Sequence, residues 1–171
     1  MDKDIIEAEF LACAGLCIND FNYDKKDVLI LNCNNKKLLA LFDKLNCNIY
    51  DKSDKKDKFD LIIDLKNTST NNFLKIIKKD SIVIINLPNL ESSQKNALDS
   101  IKNTNFNIKM PFKLEENYYL FLSNKFHPLA DICLQKIDMI ESLQYYNIKI
   151  HEAAFAMPNY LKDVLKGIAI N

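Results

Sequence analysis

Three short runs decide what this chain can fold into. Val28-Leu29-Ile30-Leu31, Leu61-Ile62-Ile63 and Ile82-Val83-Ile84-Ile85 contain no polar side chain. A strand with one wet face alternates apolar and polar residues, whereas a strand covered by helices on both faces reads as an unbroken apolar run. The segments around these runs have helical spacing. Ile5, Ile6, Glu9, Phe10, Cys13, Leu16 and Cys17, with Asp4 in the first turn, predict a helix over 4–18; Leu38, Leu39, Leu41, Phe42 and Leu45 predict another from Lys36 to Leu45. Phe73 to Ile77 and Glu91 to Lys102 read the same way, and Cys47 to Tyr50 reads as a weak strand.

Later in the chain, Phe106 to Phe112 and Tyr118 to Leu122 read as two strands joined by a Lys-Leu-Glu-Glu-Asn turn, and the segment from Pro128 onward is helical in pattern. Strands alternating with helices and closing on a hairpin define one α/β domain over residues 1–171, a doubly wound Rossmann-like sheet ending in an antiparallel hairpin. This is the element order of class I S-adenosylmethionine methyltransferase-like folds. Between Tyr50 and Phe59 there is no room for the helix and strand that usually intervene, so one edge strand is expected to be reduced or missing. The charge run from Asp51 to Lys58 is expected to be a solvated loop with the least order in the chain.

The charge pattern narrows the partners. Lys and Arg together number 23 against 23 Asp and Glu, and every basic residue is a lysine. There is no net field to draw in nucleic acid or anionic lipid, and no guanidinium fork to grip a phosphate. Neither a nucleic-acid nor a membrane partner is expected. Cys13, Cys17, Cys33, Cys47 and Cys133 are odd in number and form no CxxC pair, so they read as free thiols, with Cys13 and Cys17 buried on the first helix, and no metal site is expected. No basic, apolar leader is visible and no apolar stretch reaches membrane-spanning length, which points to the cytoplasm.

In a sheet of this kind a small molecule binds at the carboxyl ends of the strands, closest to the turn after the first one. Here that turn is Asn32-Cys33-Asn34-Asn35, without the glycines that usually let a ligand approach the backbone. Asn tolerates the left-handed region, so the turn can still form. Asn32, Asn34 and Asn35 are therefore the candidate cofactor-binding residues. Asp51, after the second strand, is either a carboxylate for ribose hydroxyls or the first residue of the charged loop. Asp64, after the next strand, either takes a proton from an amine nucleophile or is a turn residue. His127 precedes Pro128 and reads as a turn residue, whereas His151 lies in an aromatic-rich helix entry suited to packing.

That helix entry, Tyr145-Tyr146-Asn147-Ile148-Lys149-Ile150-His151-Glu152-Ala153-Ala154-Phe155-Ala156-Met157-Pro158, closely resembles the C-terminal signature of the spermidine synthases, the polyamine aminopropyltransferases. Glu7-Ala8-Glu9-Phe10-Leu11-Ala12 resembles the family's Tyr-His-Glu-Met-Leu-Ala helix, and Phe59-Asp60-Leu61-Ile62-Ile63 its Tyr-Asp-Val-Ile-Ile strand. The resemblance implies transfer of an aminopropyl group from decarboxylated S-adenosylmethionine, a co-substrate rather than a tightly bound cofactor, to putrescine. It also implies polyamine and adenosyl substrates, and leaves a homodimer open. By position it implies Glu9 and Glu7 as substrate-binding residues, Asn32, Asn34, Asn35 and Asp51 at the adenosyl end, and Asp64 as the catalytic carboxylate. Tyr145, Tyr146, Asn147, His151 and Phe155 carry the signature and read as structural.

The likeness has departures. The family's catalytic Asp aligns with Leu65, which puts Asp64 one residue out of register and on the opposite face of a strand. The Tyr and His of the Tyr-His-Glu motif align with Glu7 and Ala8, the glycine-rich loop aligns with Asn32 to Lys36, and the Pro-Thr-Tyr-Pro substrate loop has no counterpart near Met110 to Glu116. Met1 falls immediately before the first family helix, so the N-terminal β-hairpin domain is expected to be absent. Two alternatives stay open beside transfer: an inactive remnant serving as a binding or dimerisation module, and an S-adenosylmethionine-dependent methyltransferase.

Overall fold

The computed structural model describes residues 2–19, 24–53, 58–66 and 73–169. Helix α1 (Lys3–Leu16) is capped by Asp2, whose carboxylate accepts the Asp4 N–H at 3.0 Å. The chain then runs β1 (Asp27–Leu31), α2 (Lys36–Lys44), β2 (Asn48–Tyr50), β3 (Phe59–Asp64), α3 (Phe73–Ile76), β4 (Ile77–Leu87) and α4 (Gln94–Lys102). It closes with β5 (Ile108–Leu114), β6 (Asn117–Ser123), α5 (Leu134–Asp138), α6 (Ile148–Phe155) and α7 (Asn159–Leu165).

The described strands form one six-stranded sheet of order β2-β1-β3-β4-β6-β5. β2, β1, β3 and β4 are parallel, and β6 runs antiparallel to both β4 and β5. The expected Rossmann-like class with its terminal hairpin is what the chain adopts. β2, three residues long, stands at the edge beside β1, where further strands would continue a longer sheet of this class. The solvated-loop reading of the charge run falls largely on residues 54–57, outside the described residues.

The apolar runs are buried on both faces, and the two-residue period of a strand divides them between two cores. Val28, Ile30, Leu61, Ile63, Ile82 and Ile84 face the layer of α1, α2 and α6. Leu29, Ile62, Val83 and Ile85 face α4 and α7. Each such side chain, taken wholly from water, contributes about 1.5–3 kcal/mol. Helix α1 sits so close to the sheet that a Cβ on Gly15 would stand 2.8 Å from Leu61 Cδ2.

Four boundaries differ from the sequence reading. β4 begins at Ile77, well before the apolar run, and α3 is correspondingly short. Ile77 pairs with Phe59 ahead of a register shift, and beside it Lys78 reaches Asp60 at 2.5 Å and Asp27 at 3.0 Å, joining the starts of three strands. α4 starts at Gln94, after a turn in which Asn89 Oδ1 accepts the N–H groups of Glu91 and Ser92. The β5–β6 connection is two residues, not five, because Glu115 adopts a left-handed backbone (φ 53°) and Leu114 pairs with Asn117. The C-terminal segment divides into three short helices, and among the described residues no helix is long and apolar enough to cross a membrane.

Candidate active site

The carboxyl ends of the parallel strands meet at the Asn32–Asn35 turn. Asn32 takes the left-handed conformation (φ 59°) that the sequence assigned to this turn, and its amide donates to Asp64 Oδ1 at 2.9 Å. The Lys66 N–H donates to the same oxygen at 3.1 Å. Asp64 is the last residue of β3 and fully buried. The chain thus uses this carboxylate to hold the turn. Leu65 packs into the α1 side of the core, while Asp64 follows the parity of Ile62 on the other face, as a one-residue offset requires.

Asn35 caps α2. Its Oδ1 accepts the N–H groups of Lys37 and Leu38 at 3.0 and 3.1 Å, and its Nδ2 donates to the Asp4 carbonyl and Glu7 Oε2 at 2.9 and 3.0 Å. All four hydrogen-bonding positions of the amide are occupied, so its side chain serves the fold and not a ligand. Asn32, Asn34 and Asp51 instead line a hollow of about 360 Å³ with Cys33, Tyr50 and Lys66. Three of the four residues expected at the adenosyl end are therefore brought together across the ends of β1, β2 and β3. Cys33 lies half-buried there, its thiol pushed up by burial and, more weakly, by the charge of Glu7.

The two glutamates of α1 have separate settings. Glu9 is buried and turned toward the segment before α6: Oε1 accepts the Gln144 N–H at 2.8 Å, and Oε2 accepts those of Tyr145 and Tyr146 at 2.8 and 2.9 Å. All three of these contacts are to backbone. Glu7 is half-buried, with Oε2 on Asn35 and Oε1 accepting the Tyr119 hydroxyl at 2.6 Å. Burial, then the Glu7 contact, pushes the Tyr119 hydroxyl well above its ordinary range, so it remains a donor. Tyr119, Cys33 and Lys66 were not singled out in the sequence. Tyr119 sits in an apolar strand where nothing marks it as the partner of a residue 112 positions away.

The signature segment is a packing device. Asn147 caps α6 by accepting the Lys149 and Ile150 N–H groups at 2.9 and 3.1 Å. His151 Nε2 lies 2.9 Å from the Pro128 carbonyl and Nδ1 lies 2.8 Å from the Tyr146 hydroxyl. His151 stacks on Phe10 at 5.6 Å between centroids, and Phe155 lies against Phe10, Phe112 and His151. Tyr145 is half-buried, its backbone held by Glu9. His127 is the turn residue expected, its Nδ1 accepting the N–H groups of Leu129 and Ala130. Among the described residues no group of three His, Cys, Asp or Glu could hold a metal ion.

No protein-family model matches the chain. A curated polyamine aminopropyltransferase of Helicobacter acinonychis is 38% identical over 120 residues, covering 64% of this chain and 45% of that protein. The chain spans about half the length of the curated relatives it matches. The crystal structure of spermidine synthase from Thermotoga maritima superposes with a TM-score of 0.71 at 19% identity, covering 95% of this chain and 74% of that one. A spermidine synthase in complex with the transition-state analogue AdoDATO superposes with a TM-score of 0.73 at 18% identity, with the same coverage. At those identities the structural likeness speaks to the fold.

Proposed function

We propose that this chain, which belongs to the polyamine aminopropyltransferase family, binds an adenosyl sulfonium at the carboxyl ends of its strands and transfers an aminopropyl group from it to a diamine. The observation that carries this reading is the hollow of about 360 Å³ in which Asn32, Asn34 and Asp51 converge, the position where this class of sheet receives a nucleoside. Asp51 is suited to the ribose hydroxyls, and the amides of Asn32 and Asn34 to polar atoms of the adenosyl group.

The co-substrate implied is decarboxylated S-adenosylmethionine, and the acceptor putrescine. The lone pair of a neutral amine forms a new N–C bond at the methylene beside the sulfonium. The C–S bond breaks, its electron pair neutralises the sulfur, methylthioadenosine leaves, and the new ammonium releases a proton. The chain's part is to hold both partners in line, which by itself lowers the barrier substantially. Asp64 contributes by fixing the turn that shapes the hollow.

Calorimetry with decarboxylated S-adenosylmethionine and with methylthioadenosine, followed by a putrescine turnover assay, tests this. Heat from both ligands and formation of spermidine are expected. No heat and no spermidine would overturn the reading, and heat without product would make the chain a binding module.

A further inference from the structure

A second hollow, of about 340 Å³, shares no lining residue with the one at the Asn32–Asn35 turn. It lies at the free edge of the sheet, between β5 and the segment that carries α7. The two cores meet there. Met110 and Phe155 belong to the core on the α1 side, and Met157 and Leu165 to the core on the α4 side. With Pro111 and Ala169 they give the hollow an apolar lining, and the unbranched methionines can adjust to the shape of an apolar guest.

The charged part of the lining has one sign. Lys109, Lys162 and Lys166 line the hollow, and among the described residues no Asp or Glu does. Elsewhere Lys26, Lys37, Lys78, Lys113, Lys125 and Lys149 each stand beside a carboxylate. The three lysines of the hollow form no ion pair among the described residues. Lys109 is half-buried and donates to the Thr104 carbonyl at 2.7 Å, which places its ammonium without neutralising it. Ammonium groups gathered around one apolar hollow repel each other, and an anion seated among them relieves that repulsion. A further strand is a poor occupant of this edge: Pro111 has no N–H to offer it, and Lys109 and Lys113, two residues to either side, blunt the strand.

We propose that this hollow binds a small monocarboxylate with an apolar body, its carboxylate among Lys109, Lys162 and Lys166 and its chain against Met110, Phe155, Met157 and Leu165. The site is independent of the aminopropyl-transfer reading, whose two substrates are cations. A volume of about 340 Å³ falls in the range of small-ligand sites. Lysines hold a carboxylate as point charges and not as a fork, so the charge and the apolar length of the ligand should matter more than its exact shape.

The test is calorimetric titration of octanoate into the full chain, with octanol and octylamine as the neutral and cationic counterparts of the same length. Octanoate should bind roughly tenfold more tightly than either, and its affinity should fall severalfold as salt is raised to physiological strength. Combining Lys162→Gln with Lys166→Gln should weaken octanoate roughly fivefold or more and leave methylthioadenosine affinity unchanged. Both lysines are exposed, so the double variant should fold; if melting shows that it does not, Lys109→Met decides in its place. No heat from octanoate in the wild-type chain overturns the proposal, as does octanol binding equally well. An unchanged octanoate affinity in the folded variant places the ligand elsewhere and also overturns it. Absence of octanoate heat together with a dimer in sedimentation that Lys166→Glu dissociates would give this face to a second copy of the chain instead.

Discussion

The Tyr146 hydroxyl lies 2.8 Å from His151 Nδ1, and that contact fixes the state of the histidine. Pro128 offers only a carbonyl to Nε2, so Nε2 carries the proton, Nδ1 is the acceptor, and the tyrosine donates. Both rings are buried, and burial pushes the Tyr146 hydroxyl up and the His151 imidazole down. The signature segment is therefore locked to α1 through Phe10 and to the Pro128 turn by a neutral histidine. Tyr146→Phe removes the donor and leaves a buried acceptor unmatched. A loss of about 1–3 kcal/mol in denaturant unfolding is expected.

The same neutral histidine makes stability depend on pH. His151 has a lowered folded pKa, with burial as the main cause, so below its unfolded value of about 6.5 the unfolded chain binds the proton more readily. Its contribution is complete above that pH and is lost as pH falls toward the folded value. In His151→Gln the melting temperature should be lower at neutral pH and should decline less steeply below pH ~6.5.

Glu9 and Glu7 should separate in a stability assay. Glu9→Gln sets an amide where three backbone N–H groups converge, and a loss on the order of 2–3 kcal/mol is expected in urea unfolding. Glu7→Gln keeps an acceptor for only one of its two side-chain donors, Tyr119 and Asn35, but at a half-buried position, and should cost less, about 1 kcal/mol.

Gly15→Ala should destabilise by about 1–3 kcal/mol, because its Cβ would stand 2.8 Å from Cδ2 of the fully buried Leu61, which would have to shift. Leu61→Ala opens that space. The double variant should unfold at a higher denaturant concentration than additivity of the two single changes predicts.

Cys33 and Cys133 are half-buried, whereas Cys13, Cys17 and Cys47 are buried. Iodoacetamide applied to the native chain should mark Cys33 and Cys133 alone, slowly at neutral pH for Cys33 because its thiol is pushed up. Saturating methylthioadenosine should slow the marking of Cys33 severalfold and leave Cys133 unchanged. Equal rates at Cys33 with and without the nucleoside would remove it from the hollow.

The sequence by itself determined the layers and much of the site's frame. Unbroken apolar runs at Val28, Leu61 and Ile82 require helices on both faces of a sheet, and an asparagine after the first run can enter the left-handed turn found at Asn32. These are local properties, written in periodicity and in the conformational range of single residues. The division of labour among the carboxylates is not local. Glu7, Glu9 and Asp64 have similar charge and similar proximity to motif positions, and only tertiary packing gives Glu9 three backbone amides, closes Asp64 beneath Asn32, and sets Glu7 against Tyr119. What a carboxylate does for the fold depends on which donors surround it, and donors such as Tyr119 and the Gln144–Tyr146 backbone are distant in the chain and meet it only through tertiary packing.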